Sequence, residues 1–365
     1  MAPLVKELEK YPRQIGCKVA VTAQHREMLD QVLNLFNIVP DYDLNIMKHG
    51  QDLFTITGRV LAGMREILET DRPGLVLVHG DTTTTFVAAL AAFYLQIPVG
   101  HVEAGLRTGH KYSPFPEELN RHLTGVLADR HFAPTGTALD NLLKEGVPRE
   151  NILVTGNTVI DALQATVKNH FVFADPVLRC IDYDRRRVLL VTTHRRENLG
   201  APLRSVYLAF KEIVQAYDDV EIVFPVHKNP EVRRQVEEVL AGAPRVHLLE
   251  PLDYEPFVNV MQRSYLVLTD SGGLQEEAPA LGKPVLVLRD TTERPEAVAA
   301  GTALVVGTAT GTVAAEIRRL LDDAGHYRRM AGAVNPYGDG RAAERIAGAI
   351  LYWFGLADHL PEEYK

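Results

Sequence analysis

At 365 residues the chain is too long for one ordinary domain and comfortable for two. It is 46% apolar and 24% charged, and its net charge of −8 comes from interspersed acids and bases, which excludes a general nucleic-acid binder but not a local basic pocket. No apolar run approaches the ~18 residues of a membrane span, and Cys17 and Cys180 fit no metal or redox spacing, so a reduced, cytoplasmic setting is expected.

The chain opens on a helical pattern, APLVKELEKYP, with Pro3 suited to a first turn and no signal-peptide core. No strand precedes it, although a parallel sheet of the kind that follows normally begins with one. A late start of the sequence is the expectation. Short runs of Val, Leu and Ile then alternate with longer helical patterns: KVAVTA (18–23), GLVLVHG (74–80), PVGHVEA (98–104), RHFAPT (130–135) and NILVTG (151–156). After residues 166–186, read as a connector, come RVLLVTTH (187–194), VEIVFPVH (220–227), RVHLLEP (245–251), YLVLTDSGG (265–273), PVLVLRD (284–290) and TALVVGT (302–308). Continuous apolar runs indicate strands covered on both faces, and strand–helix alternation indicates parallel sheets. The expected fold class is α/β, with two doubly wound Rossmann-like domains facing a central cleft. The first spans 1–165, joined by the C-terminal helix at 342–365, and the second spans 187–341.

In such sheets ligands bind beyond the carboxyl ends of the strands. Five polar clusters occupy those ends. In DSGGLQEEAPALGKP (270–284), Ser271 is predicted to cap the next helix, and Gly272 and Gly273 let backbone approach a phosphate. Glu276 and Glu277 follow one turn in, where a carboxylate can accept from ribose hydroxyls, and Arg289 and Arg294 can balance phosphate charge. An ordinary capped turn is the competing reading. VHGDTTTTF places Asp81 at a strand tip, either as a helix cap or as a carboxylate aimed at a ligand. HVEAGLRTGHKYSPFPEE supplies Glu103 at another tip and Glu117 in the first turn of the next helix, where a solvated loop acid and a dipole-favoured acid are the alternatives. VTTHRRENLG offers His194, able to exchange a proton near neutral pH, with Arg195 and Arg196 for phosphate; a basic solvent loop is the alternative. His227, Lys228 and Asn229 end a further strand. The other histidines are read as structural. The absence of HExxH, GxSxG, GxxxxGK[ST] and GxGxxG argues against a zinc enzyme, a serine hydrolase, a P-loop enzyme and a simple dinucleotide reductase.

HGDTTTTFVAALAAFY, GHVEAGLRTG, YSPFPEELNR, HRRENLG, TDSGGLQEEAPALGKPVLVLRDTTERPE and NPYGDGRAAERI together resemble the non-hydrolysing UDP-N-acetylglucosamine 2-epimerases of bacteria, over essentially the whole chain. The resemblance implies a glycosyltransferase-B fold, a homodimer, and a reaction that needs neither metal nor nicotinamide. It also implies interconversion of UDP-N-acetylglucosamine and UDP-N-acetylmannosamine for cell-envelope polysaccharides. Family roles fall on Asp81, Glu103, Glu117 and His194 for catalysis. They fall on Phe257 for the uracil region, Ser271, Gly272 and Gly273 for the pyrophosphate, Glu277 for the ribose, and Arg294. Glu118 is read as structural. The implied chemistry expels UDP across carbons 1 and 2 to leave 2-acetamidoglucal, then re-adds it with a proton on the other face, so more than one acid/base group is expected.

Two departures accompany the likeness. The family's opening strand and GTRPEAIKMAP turn are reduced to MAP. At the family's activating site Gln24 and His25 are kept, but Glu27 stands for Gln and Gly50 for Arg, removing a phosphate partner, so weaker activation by substrate is expected. A hydrolysing epimerase that releases N-acetylmannosamine and UDP, a glycosyltransferase, and a non-catalytic nucleotide-sugar sensor are the rival readings. The cluster of Asp81, Glu103 and Glu117 disfavours the last two.

Overall fold

The apolar runs named above all contain strands, each shorter than the run that predicts it. The computed structural model describes residues 1–24, 26–47 and 50–365. In chain order the strands are β1 (Ala20–Val21), β2 (Tyr42–Asp43), β3 (Val76–His79), β4 (Val99–Val102), β5 (Arg130–Ala133), β6 (Ile152–Val154), β7 (Arg187–Thr192), β8 (Val220–Pro225), β9 (Val246–Leu249), β10 (Leu266–Thr269), β11 (Val285–Val287) and β12 (Ala303–Val305). Every pairing is parallel. β2 escaped the sequence reading because Tyr-Asp carries no apolar run; its partner β1 is equally short.

Two units emerge, residues 1–162 with 337–365, and residues 163–336. The first holds the pair β1–β2 and, separately, the sheet β3-β4-β5-β6. One side of the four-stranded sheet carries Ile56, Val60 and Met64 of helix Leu53–Asp71 with Val87, Ala88 and Ala91 of helix Thr83–Tyr94. The other carries Leu4 and Leu8 of the opening helix, Ala2–Leu8, with Ile346 and Ile350 of the C-terminal helix, Ala342–Trp353. The C-terminal helix has no side-chain cap of its own. Asp161, from helix Thr158–Thr166, instead accepts from the N–H groups of Ala342 and Ala343 at 3.2 and 2.8 Å.

The second unit is one six-stranded sheet in the order β12-β11-β10-β7-β8-β9. The strand order reverses between β7 and β10, the switch point at which doubly wound sheets bind ligands. Thr192 pairs with Thr269 there, so the residues following both strands emerge side by side. Residues 166–186, expected as a connector, fall within this second unit. The reason is local packing: Asn259 accepts from the Lys168 N–H at 2.9 Å, and the Arg263 guanidinium lies 5.0 Å from the Phe173 ring centroid. Among the described residues no helix is long and apolar enough to cross a membrane.

Candidate active site

In the first unit, β3 and β4 deliver their tips together, with His79 opposite Val102. Glu103 follows directly and adopts φ +64°, a left-handed conformation that costs a non-glycine residue energy and is kept where the surroundings enforce it. Flanking backbone does so, since Gly80 N–H donates to Val102 and Ala104 N–H to Phe132. Glu103 Oε1 accepts from Asn157 Nδ2 at 3.0 Å, and the Asn157 amide is oriented by its own Oδ1, which accepts from Val159 N–H. Glu103 Oε2 lies 3.6 Å from His79 Nε2. Gly80, at φ +70°, is needed at this spot, because a Cβ there would sit 3.1 Å from that same carboxylate oxygen.

Asp81 does not cap the helix that follows it. Thr82 caps helix Thr83–Tyr94, accepting from Thr85 N–H, which leaves the Asp81 carboxylate available. Asp81 meets Arg121 instead, at 2.8 Å from Nε and 2.6 Å from Nη2, while Asn120 holds its backbone carbonyl. Arg121 lies one turn into helix Glu117–Leu127 and also donates to Glu118 at 2.9 Å. Glu118 is buried and accepts from the N–H groups of Thr108 and Gly109, so it ties the loop down. Burial would raise its carboxyl, but those N–H groups and Arg121 outweigh burial and hold it below its ordinary value. Glu117 opens the same helix, partly exposed. His101 and His131 are buried on neighbouring strands, and burial pushes them down to about 3 and about 4, so both are neutral. His101 Nε2 donates to the Gly80 carbonyl at 2.8 Å, buttressing the turn that leads to Asp81.

In the second unit, His194 follows β7 and Asp270 follows β10. The ring nitrogen Nδ1 of His194 lies 3.0 Å from Asp270 Oδ1. The His227 ring lies beside that of His194, tilted by 32° with centroids 5.8 Å apart, and accepts at Nδ1 from Asn229 N–H. The Ser271 cap is not realised: helix Leu274–Ala280 has Gly273 at its cap position and no side-chain cap. A Cβ at Gly272 would lie 3.9 Å from Arg195 Nη2, 3.9 Å from Arg294 Cζ and 3.8 Å from Glu293 Oε2, so both arginines converge on the Gly-Gly turn. Arg294 is paired with the buried Glu276, and Arg289 with Glu197 at 3.1 Å. Glu277 accepts from Tyr254 Oη at 3.0 Å, and Phe257 lies on the same helix as Tyr254, Tyr254–Arg263. Gln24 accepts from Thr84 Oγ1 at 3.0 Å, and Gly50 takes φ +73°. His25 and the Arg196 side chain lie outside the described residues.

The family model for UDP-N-acetylglucosamine 2-epimerase matches residues 6–351. The UDP-N-acetylglucosamine 2-epimerase of Bacillus subtilis is 54% identical, covering 100% of this chain and 94% of that protein. That of Escherichia coli is 55% identical, covering 96% and 94%. The chain belongs to the UDP-N-acetylglucosamine 2-epimerase family. A crystal structure of the Neisseria meningitidis UDP-N-acetylglucosamine 2-epimerase bound to UDP-N-acetylglucosamine superimposes with TM-score 0.86 at 50% identity, covering 96% of each chain. This chain is an epimerase with the expected α/β fold of parallel sheets.

Sequence reading of the epimerase missed Asn157, Arg121, Tyr254 and the contact of His79 with Glu103. Each reaches a candidate residue from a different element, which strand-tip counting cannot see. Arg121 alone left a trace, since YSPFPEELNR places it four residues beyond Glu117, one helical turn on.

Burial pushes the Glu277 carboxyl up to about 7, with the Tyr254 hydroxyl pulling against it and Glu276 adding to it. Between pH 4.5 and 7 the folded chain therefore keeps a proton that the unfolded chain has lost, so stability falls as pH rises through that window. Glu277→Gln removes this ionisation. From pH 5 to pH 8 the variant is expected to gain on the wild type, by on the order of 3 kcal/mol at most. Urea unfolding of both proteins at the two pH values checks it; a difference that does not change with pH refutes it.

Proposed function

We propose that the epimerase is of the non-hydrolysing type, interconverting UDP-N-acetylglucosamine and UDP-N-acetylmannosamine by eliminating and re-adding UDP through 2-acetamidoglucal. The observation that supports this best is Glu103, a carboxylate fixed by an enforced left-handed backbone at the end of β4. Carbon 2 carries a very weakly acidic proton, and removing it calls for a base that does not reorganise when the substrate arrives. Glu103, Asp81 and Glu117 form the acid/base set, and more than one is needed because the proton leaves one face and returns to the other. His194 assists departure of UDP. Phe257 serves the uracil region and Glu277 the ribose. Ser271, Gly272, Gly273 and Arg294 receive the diphosphate, whose charge the converging Arg195 and Arg294 suit. No cofactor is required by this route, since the electrons that leave with UDP return with it.

Incubation with UDP-N-acetylglucosamine in heavy water tests the reading. UDP-N-acetylmannosamine should form with deuterium at carbon 2 in both epimers and without accumulation of free UDP. Stoichiometric free UDP with N-acetylmannosamine establishes the hydrolysing alternative, and binding without exchange establishes a sensor.

The same reading makes the protein a cytoplasmic homodimer that supplies envelope polysaccharide synthesis. Leu119, Leu123 and Val126 form an exposed apolar stripe at i, i+4 and i+7 on helix Glu117–Leu127, which suits a second copy. Light scattering that returns the monomer mass counts against it. With Gly50 in place of an arginine, activation by substrate is weakened. A strict need for UDP-N-acetylglucosamine when the reaction starts from UDP-N-acetylmannosamine refutes that.

A further inference from the structure

Asp270 was picked out from the sequence only as a strand end. It is fully buried, yet its carboxylate is surrounded by donors. Its Oδ2 accepts from His194 N–H at 2.9 Å, Arg195 N–H at 3.0 Å and Asn198 Nδ2 at 3.4 Å, and its Oδ1 faces His194 Nδ1 at 3.0 Å. Asn198 is held in turn by the Leu288 carbonyl at 3.0 Å, so the donor array belongs to the sheet end and not to a loose loop. Burial alone would raise the Asp270 carboxyl, but the His194 ring and the Arg195 and His194 N–H groups bring it below its ordinary value. A fully buried carboxylate is tolerated only when so compensated.

The arrangement does two separable things. The backbone donors build the turn after β7. The ring contact selects a tautomer: an ionised carboxylate can only accept, so the imidazole must carry its proton on Nδ1. The His194 side chain is 38% exposed, which leaves Nε2 as the nitrogen that a ligand can reach.

We propose that Asp270 is a positioning residue for the epimerisation, its buried carboxylate holding His194 by Nδ1–H so that Nε2 faces the departing UDP. This rests on reading His194 as the group that assists that departure. Once UDP begins to leave, its diphosphate gains negative charge. An imidazole backed by a carboxylate can meet that charge as imidazolium, because Asp270 stabilises the cation as it forms. An imidazole in the other tautomer, with nothing ionised behind it, cannot do so as well.

Asp270→Asn tests this. Asparagine keeps an oxygen to accept from the backbone N–H groups, so the turn is retained. Its amide nitrogen turned towards the ring donates where the carboxylate accepted, favouring the opposite tautomer. The expected result is a kcat lower by on the order of 10²–10⁴, as for loss of general acid/base assistance, with KM for UDP-N-acetylglucosamine changed only a few-fold. His194→Gln should lower kcat similarly, and the double variant should be no slower than His194→Gln alone. Imidazole ¹⁵N NMR should place the neutral His194 proton on Nδ1 in the wild type and on Nε2 in Asp270→Asn. Multiplying kinetic effects in the double variant, or a wild-type ring protonated on Nε2, overturn the proposal. The wild-type spectrum decides even where Asp270→Asn does not fold. A His194→Gln enzyme with undiminished kcat instead overturns the reading of His194, a separate outcome.

Discussion

Replacing Glu103 by Gln is expected to slow epimerisation by on the order of 10²–10⁴ while leaving the fold intact. Glutamine has the same shape and can still accept from Asn157 Nδ2 with its amide oxygen, so the left-handed turn at the end of β4 is not released. The loss is the basic oxygen Oε2, beside His79 and Gly80. The backbone dictates the position of Glu103, since Val102 and Ala104 on either side are bonded to the turn and to β5. Uncatalysed loss of the carbon 2 proton is extremely slow, so if Glu103 takes that proton the substitution should fall on kcat more than on KM. The measurement is the rate of deuterium entry at carbon 2 from each epimer, alongside thermal unfolding. If Glu103 serves one face, exchange from one epimer should fall further than exchange from the other, and Asp81→Asn or Glu117→Gln should show the reverse bias. Exchange within tenfold of the wild type from both epimers removes Glu103 from the acid/base set.

Strand positions were legible because buried parallel strands need unbroken Val, Leu and Ile, and β7 with Leu189, Leu190 and Val191 is fully enclosed on both sides. Where that need lapses, as in Tyr42–Asp43, the sequence carried no signal. The strand ends were legible for a related reason: His194 and Asp270 are polar residues at the carboxyl ends of apolar runs, and the strand-end rule for doubly wound sheets marked both. Their pairing was not, since they stand 76 positions apart and meet only because β10 lies next to β7. Ser271 shows the limit of local reasoning. Serine before two glycines is a good cap by propensity, but the chain makes one further turn and the helix begins at Leu274 with Gly273 at its cap. Arg294 was expected to face phosphate, and the structure also gives it the buried Glu276. Its charge is thus shared before any nucleotide arrives, which composition and spacing cannot reveal.

Arg121→Met should produce the second large effect, and here stability and activity can be separated. Arg121 spans two carboxylates, Asp81 with 27% of its side chain exposed and Glu118 with 1%. Methionine fills much of the space but leaves Glu118 buried with the Thr108 and Gly109 N–H groups, and the His122 ring at 3.6 Å, for compensation. Breaking a buried pair on one side costs about 3–5 kcal/mol, because the remaining charge stays out of water. Because Arg121 helps hold the Glu118 carboxyl below its ordinary value, the stability it contributes is present above that ordinary value and is lost as pH falls through the lower one. The deficit of Arg121→Met should therefore be full at pH 7 and shrink in acid. Adding Glu118→Gln removes the stranded charge and should recover most of the stability at pH 7. It should not recover activity, since Asp81 still lacks the two-pronged contact that fixes its carboxylate, and a displacement of about 1 Å is enough to lose 10²-fold. Arg121→Lys keeps the charge but, as a compact ammonium, cannot reach both acids with the same geometry, so it should rescue stability more than rate. Chemical unfolding at several pH values and kcat for the three variants decide the matter. Full activity in the Arg121→Met, Glu118→Gln double variant shows that Arg121 serves Glu118 alone and that Asp81 needs no partner to act.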